Sequence, residues 1–413
     1  LPVLEYFYSE IPLYGTLLNL VVIPLMTVVM FTGILAVGIS FVLPGVARAP
    51  AFLCGAILEF YERLGTASLR LPGAVFTCGQ PKIWQMAGYY TGLVVFLFWR
   101  YQLKERKKRR MGQINDPDIR LEEAERAEPH RRILQAGSAA VLGILLLFLT
   151  LRLHSGFQLV MLDVGQGDGI MISDGKQKHI FIDGGSTSES AVGTYRVLPF
   201  LKYHRIRQID AWIVTHTDAD HISGLTEALE SGYPIRRLLL AKAAPADDAL
   251  EHLVTLAKEN GTEVVFVQAN TTLTMQDATM TCLYPEAEEA ETEKNALSQV
   301  WRYESDGFSV LLTGDLGSEQ EQILVERNLL QPVTVLKTAH HGSAYSSSET
   351  FLEAIRPAVA VISCGEKNRY GHPASETIER LEQADTSIAY TMKSGQISVV
   401  KEHGKWKEVY FIK

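Results

Sequence analysis

Residues 17–43, LLNLVVIPLMTVVMFTGILAVGISFVL, run without one charged side chain. That is longer than the ~20 residues a bilayer-spanning helix requires. In lipid every backbone polar group must find a partner within the protein, so such a run must be helical. Pro24 lies near its start and predicts a kink there, or a helix that begins at the interface. Three further segments extend the pattern. Residues 50–66, PAFLCGAILEFYERLGT, have apolar positions at helical spacing and suggest an amphipathic helix on the membrane surface more than a second span. Residues 86–100, MAGYYTGLVVFLFWR, read as a short span with Tyr and Trp near its ends. Residues 133–153 read as a clear span. A soluble protein with buried apolar helices is the competing reading, and the clustering of the runs argues against it.

Residues 1–103 and 133–153 are thus expected in the membrane, with a charged loop at 104–132 between them. Six of residues 104–110 are basic. The positive-inside rule puts that loop in the cytoplasm and residues 155–413 outside the cell. A nucleic-acid patch is the competing reading of the basic run. The chain starts at Leu1 without a signal-peptide pattern, and the expectation is a piece of a longer protein cut within its membrane region. Four cysteines at scattered spacings form neither a zinc ribbon nor a disulfide scaffold. Cys54 and Cys78 would share the outer side and are a candidate pair. Cys364, in VAVISCG, reads as a core residue.

After residue 155 the pattern changes. FQLVMLDV, DGIMISD, HIFIDGG, AWIVTH, RRLLLA and EVVFVQ are short strand-like runs bounded by turn formers, with helix-like stretches at 222–231 and 246–259. FSVLLTGD, PVTVLKTAH, AVAVISCG, SIAYTM and QISVVKEHGKWKEVYFI follow, with helices between. Two batches of strands with interleaved helices predict an α/β fold of two packed sheets with helices outside. Residues 1–150 carry a formal charge of +4 and the rest −12, so this part is acidic. It has no basic stripe with interleaved aromatics, LKYHRIR at 201–207 being the best candidate. That is a poor surface for a phosphate polymer.

The chemistry concentrates in THTDADH. His216 and Asp218 stand at i and i+2 after a strand, a spacing that puts both side chains on one face. Asp220 and His221 follow, and a turn can fold them back toward the same point. Imidazole and carboxylate together suit zinc, manganese or iron. Two more strands stop on polar residues, at Asp315 and at His340 and His341, and His372 follows Gly371 in a third cluster. Ordinary strand ends also carry Asp and Gly. The recurrence of the pattern favours one site at the edge of two sheets.

THTDADH, FIDGG, LLTGD and the late GHP together resemble the metallo-β-lactamase fold, an αββα sandwich with a dinuclear metal site. MLDVGQGDGIMI, HHGS and NRYGHP narrow the likeness to ComEC-type DNA-internalisation competence proteins, and the NLVVIPL region resembles the end of their membrane domain. The resemblance implies that His216 and Asp218 hold a first metal. It implies that Asp220 and His221 hold a second, with Asp315 bridging and His372 completing it. Asp183 would orient the site. Asn295 and Ser298 of NALS, and Asn368 and Ser343, would support it or contact substrate. His340 and His341 are left as alternatives for a metal or leaving-group role, with Asp220 as the proton acceptor.

The implied cofactors are two divalent ions. Aspartate at 218 in place of the usual second histidine hardens the first site toward manganese, with zinc or magnesium as alternatives. Such a pair can activate water, hold a phosphate oxygen and stabilise a leaving oxyanion. The expected reaction is phosphodiester hydrolysis, degrading the DNA strand that is not transported, by a multi-pass protein of a bacterial plasma membrane. Implied partners are single-stranded DNA, lipid, other DNA-uptake proteins and a second copy of the chain. Two readings compete: a hydrolase for another phosphate ester, and a channel whose metal domain is structural or only binds DNA.

Overall fold

The computed structural model describes residues 1–112, 117–152, 156–174, 178–275, 278–289, 293–402 and 405–410. The chain divides into two compact units, Leu1–Arg152 with Lys202–Arg205, and Leu153–Leu201 with Ile206–Lys413.

In the first unit, helices α1 (Gly15–Ser40) and α2 (Pro44–Leu69) form an antiparallel hairpin. The Tyr61 hydroxyl donates to the Val22 carbonyl at 2.9 Å, and the Cys54 thiol lies 3.7 Å from the Val29 carbonyl. The 50–66 segment is therefore the partner of α1 along its length, not an isolated surface helix. Pro24 sits inside α1, nine residues after Gly15, so it does not mark the helix start. Helix α3 spans Ile83–Gly112 and α4 spans Pro117–Thr150. The expected 104–132 loop is thus mostly helical. Its Lys, Arg and Glu are strong helix formers, and charge alone does not end a helix. Among the described residues two helices are long and apolar enough to cross a membrane, Gly15–Ser40 and Arg132–Thr150. The 86–100 segment is the apolar half of α3, and its other half is basic. All four cysteines are free, so Cys54 and Cys78 do not pair.

The second unit is built on two sheets. The first has eight strands: β1 (Gln158–Met161), β2 (Gly169–Ser173), β3 (His179–Asp183), β4 (Ala211–Ile213), β5 (Arg237–Ala241), β6 (Glu263–Val267), β14 (Ile397–Glu402) and β15 (Lys405–Tyr410), in the order 15-14-1-2-3-4-5-6. The second has seven: β7 (Thr272–Met275), β8 (Ala278–Tyr284), β9 (Val300–Ser305), β10 (Phe308–Leu312), β11 (Val335–Lys337), β12 (Val359–Ile362) and β13 (Ser387–Tyr390), in the order 13-12-11-10-9-8-7. Each sheet has an antiparallel part and a parallel run, β3 to β6 in one and β10 to β13 in the other.

Period-two patterning explains the layers. Leu159 and Met161 of β1 enter a core between the sheets with Ile172, Ile213, Trp301, Val310 and Val335. Val160, between them, joins the opposite core with Met171, Phe181 and Trp212. Helices α5 (Ala219–Glu230) and α6 (Asp248–Glu259) close that core with Leu225 and Leu253. On the far face of the second sheet, α7 (Ser318–Glu326), α8 (Glu349–Ile355) and α9 (Ser375–Gln383) cover Leu311 and Leu336 with Leu324, Phe351 and Leu381. Cys364 belongs to this core. The result is four layers, helix, sheet, sheet, helix. The parallel strands end at one edge, where ligand sites of α/β sheets collect.

Candidate metal centre

A few residues beyond β4 lies Asp218, in extended conformation (φ −82°, ψ 153°) and next before α5. An Asp there ordinarily bonds a free helix N–H. The Asp218 carboxylate makes no such bond. It lies 3.8 Å from His216 Nε2 and 3.3 Å from the Lys294 ammonium. Asp220 and His221 occupy the first turn of α5. Two glycines let that turn touch the FIDGG loop: a Cβ on Gly185 would fall 2.4 Å from the His221 nitrogen, and one on Gly224 would fall 2.0 Å from the Gly184 carbonyl oxygen. This contact sets His221 over Asp183.

Three imidazoles then share one arrangement. His221 Nδ1 is 2.9 Å from Asp183 Oδ2. His341 Nδ1 is 2.9 Å from the Ser363 carbonyl, to which it donates. His216 Nδ1 is 3.2 Å from Thr215 Oγ1 and 3.3 Å from Ser298 Oγ. In each the Nδ1 is held by the protein and the Nε2 faces the site, the usual posture of a metal-ligating histidine. All three Nε2 atoms and Asp315 Oδ1 are buried without a hydrogen-bond partner. Buried polar atoms are rarely left so, and this donor set fits a divalent ion.

The ligand atoms of Asp220, His221, Asp315 and His341 lie within 4.8 Å of one another. His221 Nε2 is 3.3 Å and His341 Nε2 3.4 Å from Asp315 Oδ2, and His341 Nε2 is 3.5 Å from Asp220 Oδ2. The imidazole that joins Asp220, His221 and Asp315 in this group is that of His341. The His372 ring centre lies 6.3 Å from that of His341. Residues 340 and 341 are both left-handed (φ 49° and 55°). This turn buries His341 and leaves the His340 side chain one-third exposed, its Nε2 3.8 Å from Asp315 Oδ2. His216 and Asp218 stand as a pair beside the four, the His216 and His221 ring centres 4.1 Å apart.

The remaining expected residues lie around this arrangement as follows. Asp183 accepts from the Thr215 N–H at 2.8 Å and from its hydroxyl. Asn295 opens the short turn Asn295–Leu297, which delivers Ser298. The Ser298 hydroxyl accepts the Asp315 N–H at 3.2 Å. Asn368 bonds the Gly365 and His372 carbonyls and the His372 and Tyr370 N–H groups. Ser343 is buried, and its hydroxyl accepts the Tyr345 N–H at 3.3 Å. That bond belongs to the loop's own structure.

Two residues that the motif reading passes over lie beneath the site. Lys337, at the end of β11, and Asp168, in the β1–β2 turn, are each 1% exposed and in direct ionic contact. The ammonium also donates to the Gly314 carbonyl at 3.1 Å and lies 3.8 Å from Asp315 Oδ1. Asp168, Asp183 and His221 form a second close group of ligand atoms. Lys337 supplies the cation there. The signal in the sequence was a lysine inside an otherwise apolar strand run, VLKTAH.

The charges follow from this packing. Burial opposes the charged form of His221, but Asp315 and Asp183 outweigh it and hold its pKa well above the usual imidazole value. His341 is raised in the same way, against burial, by Asp315 and Asp168. Asp315 is driven the other way: His341 and His221 overcome burial and hold it well below the carboxylate range. His216, buried and beside charged His221, falls to about 3. His372 falls to about 4, chiefly by burial.

Fold and site together define a beta-lactamase superfamily domain, and residues 179–363 match the family of that description. Residues 1–103 match the family described as Competence protein. The chain is 32% identical to ComE operon protein 3 of Bacillus subtilis, over 64% of this chain and 36% of that one. It is 28% identical to Recombination protein 2 of Haemophilus influenzae, over 62% and 31%. A competence domain followed by a beta-lactamase-fold domain is the combination of the ComEC family, and these competence proteins are its homologues. The chain spans about a third of the length of the curated relatives it matches. The solved structure of the metallo-β-lactamase fold protein YhfI from Bacillus subtilis aligns over 61% of this chain and all of its own, at 14% identity and a TM-score of 0.40.

Proposed function

We propose that this chain is part of a membrane machine for taking up DNA, and that its second unit hydrolyses phosphodiesters, degrading the strand that is not transported. The observation that carries the reading is the set Asp220, His221, Asp315 and His341, with unpartnered imidazole nitrogens converging at one sheet edge, in a chain whose first part matches a competence domain. His216 and Asp218 would hold a second ion beside that set. Divalent ions held there would supply Lewis acidity and a water made nucleophilic near neutral pH.

The chain's own residues do the rest. Asp220 has one oxygen toward His341 and a side chain 18% exposed, so it can orient an attacking water and accept its proton. His340, whose side chain is one-third exposed, would meet the leaving oxygen or a phosphate oxygen. Asp183 and the Ser363 carbonyl hold two imidazoles in the tautomer that leaves Nε2 available. The apolar helices Gly15–Ser40 and Arg132–Thr150 would tether the domain to the membrane. The basic segment 104–110 supports a cytoplasmic end for α3 and an outer face for the hydrolase.

The test is incubation of the detergent-solubilised chain with end-labelled single- and double-stranded DNA in manganese, magnesium, zinc or chelator, beside Asp220→Ala/His221→Ala. Ion-dependent cutting that disappears in the double variant supports a nuclease and identifies its ion. A folded, ion-loaded chain that cuts nothing would sink the reading in favour of a domain that binds or braces. Cleavage of small phosphodiesters alone would favour a different phosphate-ester substrate.

A further inference from the structure

From the donor cluster a line of rings leads to the surface. The His340 and His372 ring centres are 5.5 Å apart. The next ring, Tyr370, lies 5.8 Å from His372 and within 26° of parallel to it. The Arg369 guanidinium lies 5.2 Å from the Tyr370 ring centre, and its Nη2 donates to the Tyr370 hydroxyl at 3.1 Å. Tyr370 is 47% exposed. We propose that Tyr370, with Arg369 beside it, is a stacking platform for a base of single-stranded nucleic acid whose phosphate lies at the Asp220–His341 cluster. This rests on the phosphodiesterase reading above and names the form of its substrate.

Three observations carry it. The platform is held in place: the Asn368 side chain accepts the Tyr370 and His372 N–H groups at 3.1 and 3.0 Å, and donates to the Gly365 and His372 carbonyls at 2.8 and 2.6 Å. Four bonds from one side chain fix the loop that presents the ring, so little entropy remains to be lost on binding. The Tyr370 ring is also not part of any hydrophobic core. The third observation is charge. Residues 151–413 carry a formal −12, a poor balance for holding a strand by charge along its backbone. Stacking needs no such charge, because every base has a π-face, and the adjacent guanidinium adds attraction for either a base or a phosphate. A duplex keeps its base faces covered, so the platform selects a single strand.

The experiment measures anisotropy of labelled phosphorothioate oligothymidylate, and of an abasic strand of equal length and backbone, on the full ion-loaded chain. The expected result is tighter binding of the strand with bases. Tyr370→Ala should weaken it roughly tenfold and bring the two strands level, while Tyr370→Phe keeps the preference. Equal binding of the two strands by the unaltered chain, or a Tyr370→Ala chain that retains the preference, overturns the platform and leaves the phosphodiesterase reading standing. Binding of neither strand overturns both.

Discussion

The Lys337 ammonium rests directly on the Asp168 carboxylate, and neither side chain is more than 1% exposed. Asp168 also lies 3.6 Å from His341 Nδ1 and 3.9 Å from His221 Nδ1. The pair is thus the floor under two of the imidazoles that face the site. Burying it costs solvation on both sides, and its mutual attraction offsets that cost only while both partners are present.

Lys337→Met should therefore destabilise the fold by about 3–5 kcal/mol, because it leaves a buried carboxylate without its cation. Adding Asp168→Leu should recover much of the loss, since both charges are then gone. Denaturant melts of the two single variants and the double variant measure the coupling. Additive losses would show that the two side chains do not act as a pair.

Asp183 acts on His221 through a single contact of 2.9 Å. Asn at 183 keeps an oxygen for the Thr215 N–H but can present an amide donor to His221 Nδ1. The imidazole would then carry its proton on Nε2, the atom that must be bare to bind an ion. Asp183→Asn is expected to weaken ion binding about 10–100-fold. Competition against a chelating dye, with the circular dichroism spectrum as a fold control, gives the number. Unchanged affinity would mean that Asp183 does not set the tautomer.

The three late histidines separate by position. His341 is in the four-donor set, His340 stands at its mouth, and His372 stacks on Tyr370. Bound ion per chain should fall by one equivalent in His341→Ala. It should hold in His340→Ala and His372→Ala, whose loss is expected in turnover or strand binding. Elemental analysis after gel filtration makes the comparison. Loss of ion from His372→Ala with retention in His341→Ala would favour His372 as the ligand, as the family resemblance implies.

The ligand roles of these histidines lie where a sequence reading reaches its limit. THTDADH was legible because its donors are adjacent in the chain and flank one strand end. The layers were legible because β1 to β6 are short, nearly unbroken apolar runs bounded by turn formers. His340 and His341 could not be ranked, since the choice depends on a left-handed turn that buries His341 and leaves His340 partly exposed. Lys337 and Asp168 are 169 positions apart, and only the fold brings them together. Strands β7 to β9 went unread because TLTM, ATMTCLY and VWRYES mix Thr, Arg and Glu with their apolar residues. The buried set Met280, Cys282 and Tyr284 emerges only once pairing fixes the register. In the first unit the basic run was read as a loop, and the helix that carries it was missed.

Glu321 of α7 gives a pH signature away from the site. It is fully buried, with Oε1 accepting the Ser347 N–H at 2.5 Å and Oε2 the Ser348 N–H at 2.7 Å. Burial outweighs those bonds and raises its pKa above the ordinary 4.5. A raised folded-state pKa means that the native chain holds this proton more tightly than the unfolded chain does. Its contribution to stability is then full below about 4.5 and is lost as pH rises through the raised value. Glu321→Gln imitates the protonated acid at every pH. The melting temperature of the unaltered chain, relative to Glu321→Gln, should therefore fall as pH increases from about 4.5 and level off once the acid is ionised. A difference that instead grows with pH would show that the Ser347 and Ser348 bonds to the carboxylate dominate over its burial.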